Sequence, residues 1–172
     1  ALDYDKSAKT TRLFFSEVQN KLHWAIHRHT AAELIVERAN AEKPHMGLTS
    51  WEQYPNGKIQ KYDVSIAKNY LSREELQALE RIVTMYLDYA ELQAKGHNPM
   101  HMADWESKLG DFLRFNGREV LENFGTVKRE VAEKLALEQY EQYDANRRVL
   151  EASDDVDELT ADVKLSLIHI SE

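Results

Sequence analysis

The stretch KYDVSIAKNYLSREELQALERIVTMYLDYAE, residues 61–91, determines the fold prediction. Within it, Ser72 and Glu75 have the spacing of a capping box, in which the two side chains accept hydrogen bonds from backbone amides at a helix start. Apolar residues then recur every three or four positions, which is the period of a helix with one buried face. The stretch therefore predicts a short helix over 63–71 and a long amphipathic helix over 73–95.

The rest of the chain has the same helical periodicity and the same kind of start signal. Thr30 and Glu33 form a second capping-box pattern, and Pro44 and Gly96 lie where helices are expected to end. The predicted helices are 11–28, 31–41, 63–71, 73–95, 102–116 and 126–146. Because their connections are short, we expect antiparallel neighbours in an all-α, multi-helix, bundle-like domain.

Residues 48–61 are the exception to the helical pattern. Asn56 and Gly57 tolerate positive φ and are typical of a β-hairpin turn, whereas Pro55 beside them argues against a regular hairpin. We therefore expect a small ordered loop or a β-hairpin flap in this region.

The apolar stripes of the predicted helices supply the core. The chain of 172 residues is 42% hydrophobic, which is enough apolar surface for the core of one domain. The side chains expected to be largely buried are Phe14, Val18, Leu22, Leu34, Ile35, Leu79, Ile82, Val83, Tyr86, Trp105, Leu109, Phe112 and Val131.

The periodicity also sets the expected boundaries. Residues 1–9 have no periodic pattern and predict a disordered arm, whereas residues 10–146 predict a single helical domain. Charged residues dominate 147–172, so we expect an acidic tail in which order fades. Its last seven residues, SLIHISE (166–172), resemble translated sequencing-adapter read-through and predict a non-native terminus.

The composition excludes several classes of protein. Cysteine is absent, which excludes disulfides and cysteine-ligated zinc and fits a cytoplasmic location. The sequence has no run of about 18 apolar residues, so we expect no membrane span. The net charge of −8 and the scattered lysines and arginines argue against direct nucleic-acid binding by this part of the protein.

Three long segments resemble the C-terminal half of the virulence-associated RhuM family. They are FFSEVQNKLHWAIHRHTAAELIVERA (14–39), residues 61–91 and MHMADWESKLGDFLRFNGREVL (100–121), and the resemblance extends over roughly residues 14–143. Members of this family are bacterial and prophage-borne proteins in which a DNA-binding-like segment precedes this region. The resemblance implies an accessory module of a RhuM-type protein and specifies no activity.

Seven polar side chains beside core-forming segments are candidates for a ligand pocket. They are His23, Glu33, Arg38, Lys61, Asp63, Lys68 and Asn69. A lysine–aspartate pair can tune a base, and an asparagine can hold an oxyanion or a phosphate. The commoner alternative is that these side chains cap helices and form surface ion pairs.

His23 and His27 are four residues apart and share a helix face, as zinc ligands on a helix do. The glutamate of the familiar His-Glu-x-x-His pattern is missing, since residue 24 is tryptophan. We therefore expect no metal site and no cofactor.

Two hypotheses for function follow. The first is an accessory interaction module that forms a homo-oligomer or positions a preceding DNA-binding-like domain. The alternative is a toxin-like effector enzyme whose polar pocket lies between the first helix pair and residues 61–69. Convergence of the seven polar side chains on one concave site favours the enzyme, and their dispersal favours the module.

Overall fold

A computed structural model describes residues 8–97 and 99–170. Five α-helices form in these two ranges: α1 (Lys9–His27), α2 (Ala31–Arg38), α3 (Arg73–Lys95), α4 (Met102–Phe115) and α5 (Arg129–Ile170). Three short 3-10 turns, Pro44–Gly47, Asp63–Ser65 and Ala67–Tyr70, lie between α2 and α3. No strand occurs in the described ranges, so the prediction of an all-α fold is confirmed.

Both predicted capping boxes form. Thr30 Oγ1 accepts from the Glu33 amide at 3.2 Å, and Glu33 returns the bond by accepting from the Thr30 amide at 2.9 Å. Ser72 and Glu75 make the equivalent pair of bonds at the start of α3, at 3.2 and 2.8 Å. These reciprocal bonds satisfy amides that have no partner within the helix, and they fix where α2 and α3 begin.

Residues 48–61 form an ordered loop, and the β-hairpin alternative is not adopted. The Gly57 amide donates to the Gln53 carbonyl at 2.8 Å, and Trp51 Nε1 donates to the Gly57 carbonyl at 2.7 Å. A side chain at position 57 would place its Cβ 2.3 Å from the Gln53 Cβ. The chain therefore needs glycine here for a close local turn, which uses the backbone groups that a hairpin would pair across strands.

The helices pack in two groups. α2 packs against α5 and against the turns between α2 and α3, whereas α1 packs against α3 and α4. The buried residues of the first group are Leu34, Ile35, Ala39, Met46, Leu48, Trp51, Ile59, Val64, Ala67, Tyr70, Leu71, Ala132 and Ala136. Those of the second group are Ala25, Ile82, Leu109 and Leu113. More than half of the first list comes from residues 46–71, which the helical pattern did not assign to the core.

The core prediction is confirmed at Leu34, Ile35, Ile82 and Leu109, which are all buried. Eight of the other predicted core residues are partly buried: Phe14, Val18, Leu22, Leu79, Val83, Tyr86, Trp105 and Phe112.

The prediction for Val131 is wrong, since this side chain is 55% exposed. The neighbouring Ala132 and the following Ala136 are buried instead. The face of α5 that packs on the core is therefore one residue out of phase with the predicted face. The small alanine side chains allow the backbone of α5 to approach α2 closely.

α5 continues as a helix to Ile170, well beyond the predicted end at residue 146. Every side chain described from residue 148 to residue 169 is exposed, and we call residues 149–169 the distal half of α5. The sequence from 129 to 170 contains no glycine or proline, so nothing in it terminates the helix. Arg147 also bridges the two halves by bonding to Asp144 at 2.7 Å and to Glu151 at 2.6 Å.

Two boundary predictions fall partly on residues that the structure does not describe. These are residues 1–7 of the predicted arm and residues 171–172 of the predicted non-native terminus. Within the described ranges, none of the helices combines the length and the apolar character that crossing a lipid bilayer requires.

Truncating a fully buried leucine in either group should destabilise the fold. We expect Leu34→Ala and Leu109→Ala to lower the unfolding free energy by about 2–5 kcal/mol each, because each leaves a cavity. The matched control is Leu92→Ala on α3, where the leucine is 66% exposed and the change should be within about 0.5 kcal/mol. Urea denaturation measures all three. Parent-like stability of both core variants would contradict the assigned packing.

Candidate functional site

The end of α1 holds two histidines in close contact. His23 is only 3% exposed, and its Nδ1 lies 3.0 Å from Nε2 of His27. Burial lowers the pKa of each imidazole from 6.5 to about 4, and for His27 the nearby His23 adds to the effect. Both rings are therefore neutral at pH 7.

One nitrogen of this pair lacks a hydrogen-bond partner. His27 Nδ1 is buried and bonds to nothing within the described part of the chain. A neutral imidazole carries one N–H, so either His23 donates and His27 keeps an unpaired N–H, or His27 donates and keeps an unpaired lone pair. It is the burial of both rings that makes the pair a poor place for a positive charge.

Arg38 and Glu75 form a bidentate ion pair between the end of α2 and the start of α3. The two guanidinium–carboxylate bonds are 2.6 and 2.8 Å long, and Arg38 also donates to the Tyr70 carbonyl at 2.9 Å. The hydrogen bond from Arg38 is the main reason why the pKa of Glu75 falls to about 2. Glu75 is thus ionised at all ordinary pH values, and Arg38 is engaged in two charge-assisted bonds within the fold.

Glu33 is used in the same structural way. One carboxylate oxygen caps α2, and the other accepts from the amide and the hydroxyl of Thr126 at 3.1 and 2.8 Å. Burial opposes ionisation of Glu33, but the hydrogen bonds from Thr30 and Thr126 outweigh it and lower the pKa. Glu33 therefore ties the start of α2 to the segment that leads into α5.

Asp63 and Asn69 are brought together, while the two lysines are not buried with them. The Asp63 carboxylate is buried and accepts from the backbone amides of Glu52 and Gln60 at 3.1 and 2.7 Å. Asn69 Nδ2 donates to the Asp63 carbonyl at 3.0 Å. Lys61 and Lys68 are exposed. The buried carboxylate thus organises the loop before α3.

Five of the seven predicted site residues lie in separate local networks, and the other two, Lys61 and Lys68, are exposed. His23 pairs with His27, Glu33 with Thr126, Arg38 with Glu75, and Asp63 with Asn69. None of the seven lines the cleft between α1 and α4 or the cleft between α3 and residues 116–118. The shared pocket stays a prediction.

The larger cleft involves residues that the sequence analysis did not select. It has a volume of about 480 Å³ and lies between α1, α4 and residues 120–124. Lys21 Nζ contacts Glu106 Oε1 at 2.8 Å, and the Glu106 carboxylate also bonds to Glu17. Only the spacing of Glu17 and Lys21 on one helix face is visible in the sequence, because Glu106 is distant along the chain.

The two carboxylates of this cleft titrate differently. Burial, followed by the charge of Glu106, raises the pKa of Glu17, whereas the hydrogen bond from Lys21 lowers that of Glu106. The Lys21–Glu106 ion pair, which is partly shielded from water, connects α1 to α4.

The distal half of α5 presents a row of exposed apolar side chains. Val149, Val156 and Val163 are seven residues apart and 69%, 60% and 50% exposed, and Leu159 is 65% exposed. With Ala152 these residues form a single face with heptad spacing, which we call the distal seam. Sequence analysis missed this surface because the charged residues around it led us to expect fading order.

Comparison with known proteins identifies a family. A family model described as the Virulence protein RhuM family matches residues 1–151. No curated protein and no solved structure matches the chain. The family match includes α1 to α4 and the part of α5 that packs on the core.

Removing one partner of the Arg38–Glu75 pair should be costly. We expect Arg38→Leu to lower the unfolding free energy by about 1.5–3 kcal/mol, because it removes charge-assisted hydrogen bonds in a partly buried place. The control is Arg129→Leu, whose ion pair with Glu133 is exposed and should contribute less than about 1 kcal/mol. Chemical denaturation at pH 7 measures both. Equal effects would show that the Arg38 pair has no special role.

The histidine pair should make stability depend on pH. In the unfolded chain each histidine titrates near 6.5, and in the folded chain near 4, so the unfolded state binds more protons between these values. The unfolding free energy should therefore fall as pH drops from about 6.5 towards 4. Glu75, Arg38 and His29 also act on His27, and Glu75 remains ionised throughout this range.

Urea denaturation at several pH values tests the histidine prediction. The double variant His23→Gln/His27→Gln should show a shallower loss of stability between pH 6.5 and pH 4.5 than the parent, whatever its absolute stability. His97→Gln, at an exposed position, should keep the parent slope. A parent-like slope in the double variant would contradict the burial of two neutral imidazoles.

Proposed function

The chain belongs to the Virulence protein RhuM family, and we propose that it is the interaction module of a virulence-associated protein. The distal half of α5 is the surface that binds a partner protein. The observation that carries this proposal is the distal seam, a row of exposed apolar side chains on a helix that extends away from the core.

The seam faces away from the side of α5 that packs on the core. Ala136 is fully buried against the first core group, and Val156 follows it by 20 residues. This separation is about five and a half helical turns, so the two side chains lie on opposite sides of the helix. The fold that covers Ala136 therefore does not cover the seam.

Burial of the seam by a partner is energetically favourable. Each valine or leucine side chain gains about 1.5–3 kcal/mol when it moves from water into an apolar contact. A contiguous apolar face with charged residues around it is typical of a protein-binding surface. This is the physical basis for assigning binding to the distal half.

Several of the candidate pocket residues already form hydrogen bonds within the fold, and this supports the interaction module over the toxin-like effector. An effector pocket needs polar groups that are free to contact a substrate. Glu33 and Asp63 instead accept hydrogen bonds from the backbone, and Arg38 holds Glu75. These side chains contribute to the fold through the bonds that they make.

In this proposal the module acts in the cytoplasm and leaves DNA contact to a preceding DNA-binding-like domain of the RhuM-type arrangement. The net charge of −8 supports this division, because clustered positive charge drives binding to a polyanion. The distal half would then link such a domain to the partner protein.

Position-specific crosslinking in cells tests the proposed function. A photoreactive amino acid at Val156 should give an adduct heavier than the chain itself. The same amino acid at Asp154 should not, because this position is about 200° around the helix from Val156. Both positions are exposed on the same helix, so reactivity alone does not distinguish them. Absence of an adduct at both positions would overturn the proposal.

A further inference from the structure

We infer that the partner is a second copy of this chain, and that the two distal halves form a parallel, in-register, two-stranded coiled coil. This inference rests on the proposed function, since it identifies the protein that covers the distal seam. Three observations carry it: the types of residue in the seam, the charges that flank it, and the side of α5 on which the fold lies.

The residue types in the seam match those of a two-stranded coil. In heptad terms, Val149, Val156 and Val163 occupy position a, and Ala152 and Leu159 occupy position d. β-branched residues at a with leucine at d favour two parallel strands over larger assemblies. Two identical seams brought together in register place valine against valine and leucine against leucine.

The flanking charges identify the orientation. Asp155 and Asp162 occupy position g, whereas Ser153 and Thr160 occupy position e. In a parallel pair each g residue lies beside an e residue of the other strand, so each aspartate lies beside an uncharged side chain. In an antiparallel pair g lies beside g, and Asp155 would lie against Asp162 of the other strand. Like charges at such contacts are destabilising, so the parallel orientation is favoured.

The residues at positions e and g also favour a second copy of the chain over a different protein as the partner. Partner choice between unlike helices is usually set by charged residues at both e and g. Here the e positions beside the seam are Ser153 and Thr160, which offer no charge for an unlike helix to match. The remaining acidic residues of this stretch, Glu151, Asp154, Asp157 and Glu158, are at positions b, c and f and lie away from the seam.

The position of the fold allows this pairing. The core packs on the side of α5 that carries Ala132 and Ala136, which is opposite to the seam. In a parallel pair with two-fold symmetry, each fold therefore lies on the outer side of its own helix. Residues 149–163 span about 21 Å of helix, which is a short interface, so we expect a micromolar, concentration-dependent dimer.

Light scattering of the whole chain tests the inference. The mass should rise from monomer towards dimer between roughly 10 µM and roughly 500 µM, a range that brackets a micromolar Kd. Val156→Asp/Leu159→Asp should stay monomeric over this range. The matched control is Leu150→Asp, which alters an equally exposed leucine off the seam and should dimerise like the parent. The seam lies on the side of α5 opposite to the core, so thermal unfolding of the fold should be similar in all three proteins.

Single cysteines test the orientation, since the chain has none of its own. Val149→Cys and Val163→Cys should each form a disulfide-linked homodimer on mild oxidation, because like positions meet in a parallel coil. Preferential crosslinking between the two variants when mixed would indicate an antiparallel pair and overturn the inferred orientation.

The outcomes separate the inference from the proposed function. A chain that stays monomeric at all concentrations, or a dimer that survives Val156→Asp/Leu159→Asp, would overturn the second copy as the partner that covers the seam. An adduct at Val156 with a different protein would then still support the interaction module. Absence of any adduct at Val156 would overturn both.

Discussion

The Glu75 carboxylate is the group on which the arrangement of the helices most depends. One of its oxygens accepts from the Ser72 amide and from Arg38, and the other accepts from Arg38 again. A single side chain thus starts α3 and fixes it to the end of α2. Because the pair is partly shielded from water and bidentate, its bonds are stronger than those of an exposed ion pair. Glu33 has a similar double role at the other end of α2, where it caps that helix and accepts a hydrogen bond from Thr126.

These two carboxylates explain how a helix of eight residues can organise a core. A helix of that length is not stable alone in water, so its position must come from tertiary contacts. Fixed at both ends, α2 presents Leu34 and Ile35 to α5 and to the turns that precede α3. The buried Asp63 then shapes the irregular segment by accepting two backbone amides, which allows Val64 and Tyr70 to reach the same core.

Local signals were predictable from the sequence, and contacts between distant residues were not. The capping boxes at Thr30 and Ser72 were found because each is complete within four residues. The contacts that Glu33 and Glu75 make between elements could not be predicted from the sequence, because their partners Thr126 and Arg38 are far from them along the chain. The phase of α5 was misassigned at Val131 because alanines, which carry little hydrophobic signal, make the close contact. The RhuM family was recognised from long segments, whereas the seam was hidden by the acidic residues beside it.

The first half of α5 packs on the core, and the distal half presents the seam on the opposite side of the helix. The residues proposed to bind a partner are therefore different from those that hold the fold. The first half of α5 is held by α2 and by buried alanines, so loss of a partner leaves the core intact. Its distal half has no such support, because all its described side chains are exposed and its helix is held by local pairs such as those of Arg147. Most helical stability in proteins comes from packing of one face, so a helix of about 20 residues with exposed side chains is weakly held in water. Pairing the seam supplies the missing contacts, so formation of the distal helix and binding of its partner are expected to stabilise each other.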